Sequence, residues 1–191
     1  MATVNYKIIK NFFSKKELNL LQRYCHKSLD NSNSYKITTD SFCPSWEDDP
    51  LMNALLETKL PLVEEESKLK LFPTYAYWRY YVFGSTLPKH TDRPACEVSI
   101  TTCVNKCDNW PLIIEKDSIE IEIGDALLYA GCAQEHGRPG TYKGEGMAQI
   151  FFHYVDQNGP FTHHSYDNFL SETKTKNSEN DLKIIKKLHE K

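Results

Sequence analysis

The segment Pro88-Lys89-His90-Thr91-Asp92 sets an imidazole and a carboxylate two residues apart. In extended backbone, residues i and i+2 project to the same face, so both side chains can reach a single metal ion. A second imidazole, His136, follows Gly124-Asp125-Ala126-Leu127-Leu128-Tyr129, which reads as a turn into an apolar strand. Two imidazoles and one carboxylate on one face of an octahedron leave three adjacent positions open, an arrangement suited to non-haem iron(II) oxygen chemistry. An isolated HxD is common by chance, and a lone histidine is more often a surface or core group, so the flanking pattern carries the reading. His153 is the rival third ligand, but it lacks the turn-and-strand context that precedes His136. Cys103 and Cys107 lack the second cysteine pair of a structural zinc site. His163 and His164 are adjacent and diverge on extended chain, which places them at the surface; His26 and His189 receive no role.

The elements that must position these residues fall into two textures. Ser14-Lys15-Lys16-Glu17 is a capping-box pattern ahead of Leu18, Leu20, Leu21 and Tyr24, and predicts a helix from about Ser14 to Lys27, entered through the apolar segment Tyr6–Phe13. Residues 28–50 are rich in Ser, Asn, Asp and Pro and read as an extended surface connection. Pro50 opens a second helical pattern through Leu51, Leu55, Leu56 and Leu60 that continues weakly over Glu64–Lys70. After Pro73 the pattern becomes extended. Strands are expected at Thr74–Phe83, Glu97–Val104, Leu112–Ile114, Ser118–Ile123, Ala126–Tyr129, Glu135–Arg138 and Met147–Val155. Short strands in series with no helix between them predict an antiparallel sandwich or barrel.

At this point the order and spacing become specific. Tyr81-x-x-Gly84-x-x-Leu87-x-x-His90-x-Asp92, then Ile123-Gly124-Asp125-Ala126-Leu127-Leu128-Tyr129, then His136, resembles the prolyl 4-hydroxylase-like branch of the iron(II)/2-oxoglutarate-dependent oxygenases. The opening Ile8-Ile9-Lys10-Asn11-Phe12-Phe13-Ser14 and its helix are similar to how that branch begins, and the likeness spans about residues 6–156. The resemblance implies a mainly β fold with N-terminal helices: a double-stranded β-helix (jelly roll, cupin-like) of residues 73–156, supported by residues 6–72, within one domain of residues 1–170. It also implies Fe(II), 2-oxoglutarate and O2 as cofactor and cosubstrates, with ascorbate admitted as an accessory. The reaction implied is hydroxylation of an unactivated C–H bond, in a prolyl or other residue of a peptide or in a small molecule, with release of succinate and CO2. Two other classes stay open: a β-barrel binding module without catalysis, and a cupin-like iron enzyme that does not use 2-oxoglutarate.

The family commonly supplies Lys or Arg about ten residues after the late histidine to hold the far carboxylate of 2-oxoglutarate. Here that position is Gly146, followed by Met147. Arg138, at i+2 from His136, faces the same way on a regular strand and is the preferred substitute; Lys143, in a turn-like stretch, is the alternative. Tyr81 matches the family's tyrosine before the HxD and could hydrogen-bond the same carboxylate, or simply pack. Gln149 and His153 share a strand face with Met147 and Phe151 and are expected as polar groups of the cosubstrate pocket. Arg93 and Glu97, flanking the HxD, and Arg79, on the face of Tyr81, are the candidates for touching substrate.

Composition narrows the setting. The 191 residues carry a formal net charge of −3, so there is no broad electrostatic case for nucleic acid or an anionic membrane. No stretch approaches a membrane span, the N-terminus shows no apolar core of a secretory signal, and the six cysteines contain no CxxC pair. The expectation is a cytoplasmic protein with reduced thiols. The polar tail 171–191 is expected to be a short helix or disordered.

Overall fold

The computed structural model describes residues 4–31, 34–167 and 183–184; apart from the two helical residues 183–184, the expectation for the tail lies outside them, as does His189. Among residues 4–167, the described strands and α-helices run in the order β1 (Lys7–Ile9), α1 (Lys15–Leu29), β2 (Lys36–Ile37), β3 (Pro44–Glu47), α2 (Pro50–Ser67), β4 (Leu71–Tyr81), β5 (Thr86–His90), β6 (Val98–Lys106), β7 (Leu112–Ile114), β8 (Asp117–Ile119), β9 (Ala126–Tyr129), β10 (His136–Thr141) and β11 (Met147–Asp156). Short 3-10 turns lie at Pro94–Cys96 and Thr162–His164.

Helix α1 starts where its capping box predicts. Ser14 Oγ accepts from Glu17 N at 3.3 Å, and Glu17 Oε2 accepts from Ser14 N at 2.7 Å. Asp49 caps α2 by accepting from Leu51 N at 2.9 Å and Met52 N at 3.2 Å. Its other oxygen accepts from Tyr24 Oη at 2.7 Å and Trp78 Nε1 at 3.2 Å, tying both helices to β4. The buried Lys59 of α2 donates to Glu17 Oε1 at 2.8 Å and to Phe12 O at 2.9 Å, so the cation of one helix also fixes the entrance to the other.

The strands form a seven-stranded sheet, β1-β9-β6-β11-β4-β3-β2, and a four-stranded sheet, β5-β10-β7-β8; every ladder between named strands is antiparallel. Strands β4 to β11 give each sheet four members, which is the jelly-roll arrangement; β1, β2 and β3 extend the larger sheet at its edges. Period-two alternation divides the large sheet's side chains between two cores. Trp78, Ile100, Leu128, Ile150 and Phe152 pack with Phe12, Leu21, Met52, Leu56 and Val63 on the helical side. Tyr81, Leu127, Tyr129 and Phe151 pack with Leu87, Leu112 and Ile114 of the smaller sheet. The site lies on this second face.

Two expectations about the elements need correction. Residues 28–50 are not merely a surface connection, because β2 and β3 lengthen the large sheet beyond β4 and bury Cys43, Ser45 and Trp46. The anchor is Trp46, stacked on Trp78 at 3.7 Å between ring centroids and 7° between planes, a single large contact inside a polar run. The strand expected over Ser118–Ile123 is confined to Asp117–Ile119, with Ile123 forming an isolated bridge to Cys103.

Candidate metal centre and cosubstrate pocket

β5 ends at His90, Asp92 follows in the next loop, and His136 opens β10. The β5–β10 ladder makes His136 and His90 direct cross-strand partners, with Gly137 immediately beside the junction. A Cβ on Gly137 would lie 2.9 Å from Leu87 O and from Lys89 N and Cα, so only glycine permits this close approach. Asp92 is brought in by its backbone N–H, which donates to Gly131 O at 3.0 Å.

The tautomers follow from the hydrogen bonds. His90 Nδ1 donates to Pro88 O at 2.8 Å and His136 Nδ1 to Gln134 O at 2.9 Å. Both Nε2 atoms then present lone pairs to Asp92, at 3.5 Å from Oδ1 and 3.6 Å from Oδ2 respectively. One ligating atom from each residue lies within 4.8 Å of the other two. Two imidazole nitrogens and one carboxylate oxygen fit a first-row divalent ion.

Electrostatics divide the three. Burial pushes the Asp92 carboxyl up, but its contact with His90 and the nearby His136 and His153 outweigh it and hold the group below the ordinary range. The contact with Asp92 raises His90, the most open of the three. Burial lowers His136. The trio is thus ionised at the carboxylate and neutral at its most buried ring, as a cation requires.

A cavity of about 320 Å³ opens beside these residues. Tyr75, Tyr77, Tyr81 and Phe151 form much of its wall, and Arg138 reaches it from β10. Arg138 is 7% exposed; its Nη2 donates to Gln149 Oε1 at 2.9 Å and its Nη1 to Trp110 O. Its Nε has no partner, and no carboxylate pairs with it among the described residues. The Tyr81 hydroxyl is also buried without a hydrogen-bond partner. A buried guanidinium lacking a counter-anion, next to an orphaned phenol, fits the far carboxylate of a dicarboxylic acid.

The remaining candidates separate clearly. Lys143 is exposed and sits 5.7 Å over the Phe83 ring, away from the cavity. Gly146 packs against the Tyr80 ring, so a longer side chain has no room there. Gln149 is buried and holds Arg138 while accepting from Thr101 Oγ1 at 3.1 Å. Arg79 lines the cavity, pairs with Asp40 at 3.3 Å and donates to Ser41 Oγ at 2.7 Å. Arg93 lines it too, stacks over Tyr75 at 4.4 Å and pairs with Asp167 at 2.5 Å.

Three placements differ from expectation. Glu97 is not at the mouth: its carboxylate accepts from Asp156 N at 2.9 Å, and burial pushes its pKa up to about 7. Glu97 is near Asp92 in sequence, but the intervening 3-10 turn Pro94–Cys96 carries it to the end of β11 instead. His153 does not line the cavity, because the Tyr75 and Tyr77 rings lie 4.6 and 5.8 Å from it; burial pushes its pKa down to about 4. His164, expected at the surface, is 3% exposed because Phe161 packs with Cys132 and Val155 and draws its turn inward. All six cysteines are free, Cys103 and Cys107 included.

Other lining residues differ in how far the sequence shows them. Tyr77 and Phe151 were legible from the alternation that places them with Tyr81 and Gln149. Asp40 and Glu47, which also line the cavity, arise from the polar connection and carry no periodic signal. Among the described residues no helix is long and apolar enough to cross a membrane.

No family model matches this sequence, and no curated protein does. Solved structures do match. SnoN, a non-haem alpha-ketoglutarate-dependent epimerase from nogalamycin biosynthesis, superposes with a TM-score of 0.66 at 9% identity, over 81% of this chain and 77% of its own. HygX from Streptomyces hygroscopicus, solved with nickel, 2-oxoglutarate and hygromycin B bound, gives 0.64 at 11% identity over 82% and 84%. A Pseudomonas putida prolyl-4-hydroxylase gives 0.61 at 13% identity over 80% and 94%. Likeness at this level is one of fold: the chain has the jelly-roll fold of the iron(II)/2-oxoglutarate-dependent oxygenases.

Proposed function

We propose that this chain is a non-haem iron(II)/2-oxoglutarate-dependent dioxygenase that hydroxylates an unactivated C–H bond. The observation that carries the reading is the pairing, in one cavity, of a two-histidine, one-carboxylate group with a buried guanidinium that has no counter-anion. The shared fold supports it.

His90, Asp92 and His136 would hold the iron through Nε2, a carboxylate oxygen and Nε2. Bound there, iron and 2-oxoglutarate supply oxidative chemistry that consumes O2 and releases succinate and CO2. Arg138 receives the far carboxylate of the cosubstrate, with the Tyr81 hydroxyl as a second donor. Gln149 accepts from Arg138 Nη2 and keeps the guanidinium aimed, so its position is set before the anion arrives. Tyr77 and Phe151, stacked at 4.6 Å, make an apolar wall that excludes water and gives the reacting carbon a fixed surface. Arg79 with Asp40 and Arg93 with Asp167 present polar groups for orienting substrate.

For the substrate we propose a prolyl or other residue of a peptide entering between the Tyr75–Tyr77 face and the arginines. An aromatic wall suits a flat, apolar ring. The test is to supply iron-loaded protein with 2-oxoglutarate, O2 and a proline-containing peptide library, reading peptide mass and succinate together. Gain of one oxygen atom in step with succinate is the expected result. Succinate without any oxygenated peptide, but with oxygenation of free amino acids or other small molecules, would move the substrate to that class.

A further inference from the structure

Asp92 belongs to a second group of metal-type donors. Asp92, Cys96 and His153 each offer a ligating atom, and these three atoms lie within 4.8 Å of one another. Cys96 and His153 are 1% and 2% exposed. Neither belongs to the His90–Asp92–His136 group, and the proposed oxygenase chemistry uses neither.

The imidazole of His153 is what distinguishes this cluster from ordinary packing. Its Nδ1 lies 3.0 Å from Ser99 Oγ, whose own proton is directed to Cys96 O at 3.2 Å. Ser99 therefore accepts from Nδ1–H, and Nε2 is left as a lone pair. That atom is fully buried and has no partner. A buried ring with an unsatisfied nitrogen, grouped with a thiol and a carboxylate, is an ordinary metal-ligand arrangement and an unusual core one. Two of the three donors, Asp92 and Cys96, line the cavity. The Cys96 thiol is in hydrogen-bond contact with Tyr75 Oη at 2.9 Å, and Tyr75 lines the cavity as well.

We propose that Asp92, Cys96 and His153 form a second divalent-cation site, selective for a borderline-soft ion such as zinc(II) or cobalt(II). A thiolate, an imidazole and one carboxylate favour such ions over magnesium or calcium, and differ from the thiolate-free first group in the same direction. On binding, the Cys96 S–H bond breaks, an S–metal bond forms, and the proton leaves through the cavity to solvent; no electron moves. The two groups share Asp92 alone, so the second site gives thiophilic metals a means of drawing Asp92 away from iron. Metal binding at the second site stands on its own geometry; its competition with iron for Asp92 rests on the proposed function.

The test uses the full reduced chain, freed of metal and titrated with cobalt(II) without oxygen. A thiolate-to-cobalt charge-transfer absorption in the near ultraviolet is expected, accompanied by proton release. Cys96→Ser should lose that absorption and keep the weaker visible bands of cobalt at His90 and His136. His153→Gln should weaken binding of the absorbing ion about tenfold or more, as removal of a ligand-side group does elsewhere. The double variant His90→Ala/His136→Ala and the single variant Cys107→Ser should both retain the absorption. Cobalt bound without a thiolate band in the unaltered chain, or a band that survives Cys96→Ser, would overturn the assignment. Succinate formation, measured separately, reports on the oxygenase reading alone.

Discussion

His136 and His90 are opposed across the β5–β10 ladder, and each imidazole donates Nδ1–H to the carbonyl two residues before it. The backbone that pairs the strands therefore also sets both tautomers, and the metal-facing atoms are in place before any metal arrives. This economy depends on Gly137.

Gly137→Ala would set a methyl group 2.9 Å from Leu87 O and Lys89 N, both backbone atoms that cannot move aside cheaply. The strands must separate, at a cost of about 1–3 kcal/mol. Denaturant melts should show that loss, and calorimetric titration should show iron affinity falling with it. Unchanged affinity would mean that the pairing of His90 with His136 does not preorganise the site.

Arg138→Ala should raise the KM for 2-oxoglutarate roughly a hundredfold, equivalent to about 3 kcal/mol for a broken buried ion pair. Iron affinity should hardly change, because Arg138 touches none of the three ligands. Lys143→Ala should leave the KM alone, since Lys143 is exposed beside Phe83. Steady-state kinetics on the two variants decide the matter, and the reverse pattern would relocate the anchor.

Glu97 gives a pH dependence with a definite sign. Burial raises its folded pKa to about 7, above the roughly 4.3 of an unfolded glutamate. Between those values the folded state binds more protons than the unfolded state, so this group's contribution is full below about pH 4 and is lost as pH rises through about 7. Glu97→Gln keeps an acceptor for Asp156 N and removes the titration. The variant should match the parent near pH 4 and exceed it by about 2 kcal/mol at pH 8, after allowing for partial solvent screening. Urea melts at the two pH values measure the difference; equal stability at pH 8 would contradict the assignment.

Much of the site was legible because alternation along strands is a strong signal. His90, Asp92, His136 and Arg138 follow from i, i+2 geometry at strand ends, and the structure brings all four to one cavity. Alternation also put His153 on the correct sheet face, yet it could not show that Tyr75 and Tyr77 stand between that ring and the cavity. Glu97 was placed by its nearness to the HxD in sequence, and the turn Pro94–Cys96 takes it to Asp156 instead. β2 and β3 were illegible for a different reason: Trp46 makes one stacking contact, and one aromatic in a polar run has no period to detect. The helices were read almost to their ends because Ser14, Glu17 and Pro50 are local capping signals that need no tertiary partner.

The central claim is tested most directly by incubating the iron(II)-loaded chain with labelled 2-oxoglutarate and O2, without any prime substrate, and measuring labelled succinate and CO2. Slow, iron-dependent succinate formation is expected from the unaltered chain. It should be abolished in His136→Ala and in Asp92→Ala, and should persist in His153→Gln. No succinate from protein that binds iron tightly and fails to bind 2-oxoglutarate would contradict the account, as would undiminished turnover in His136→Ala.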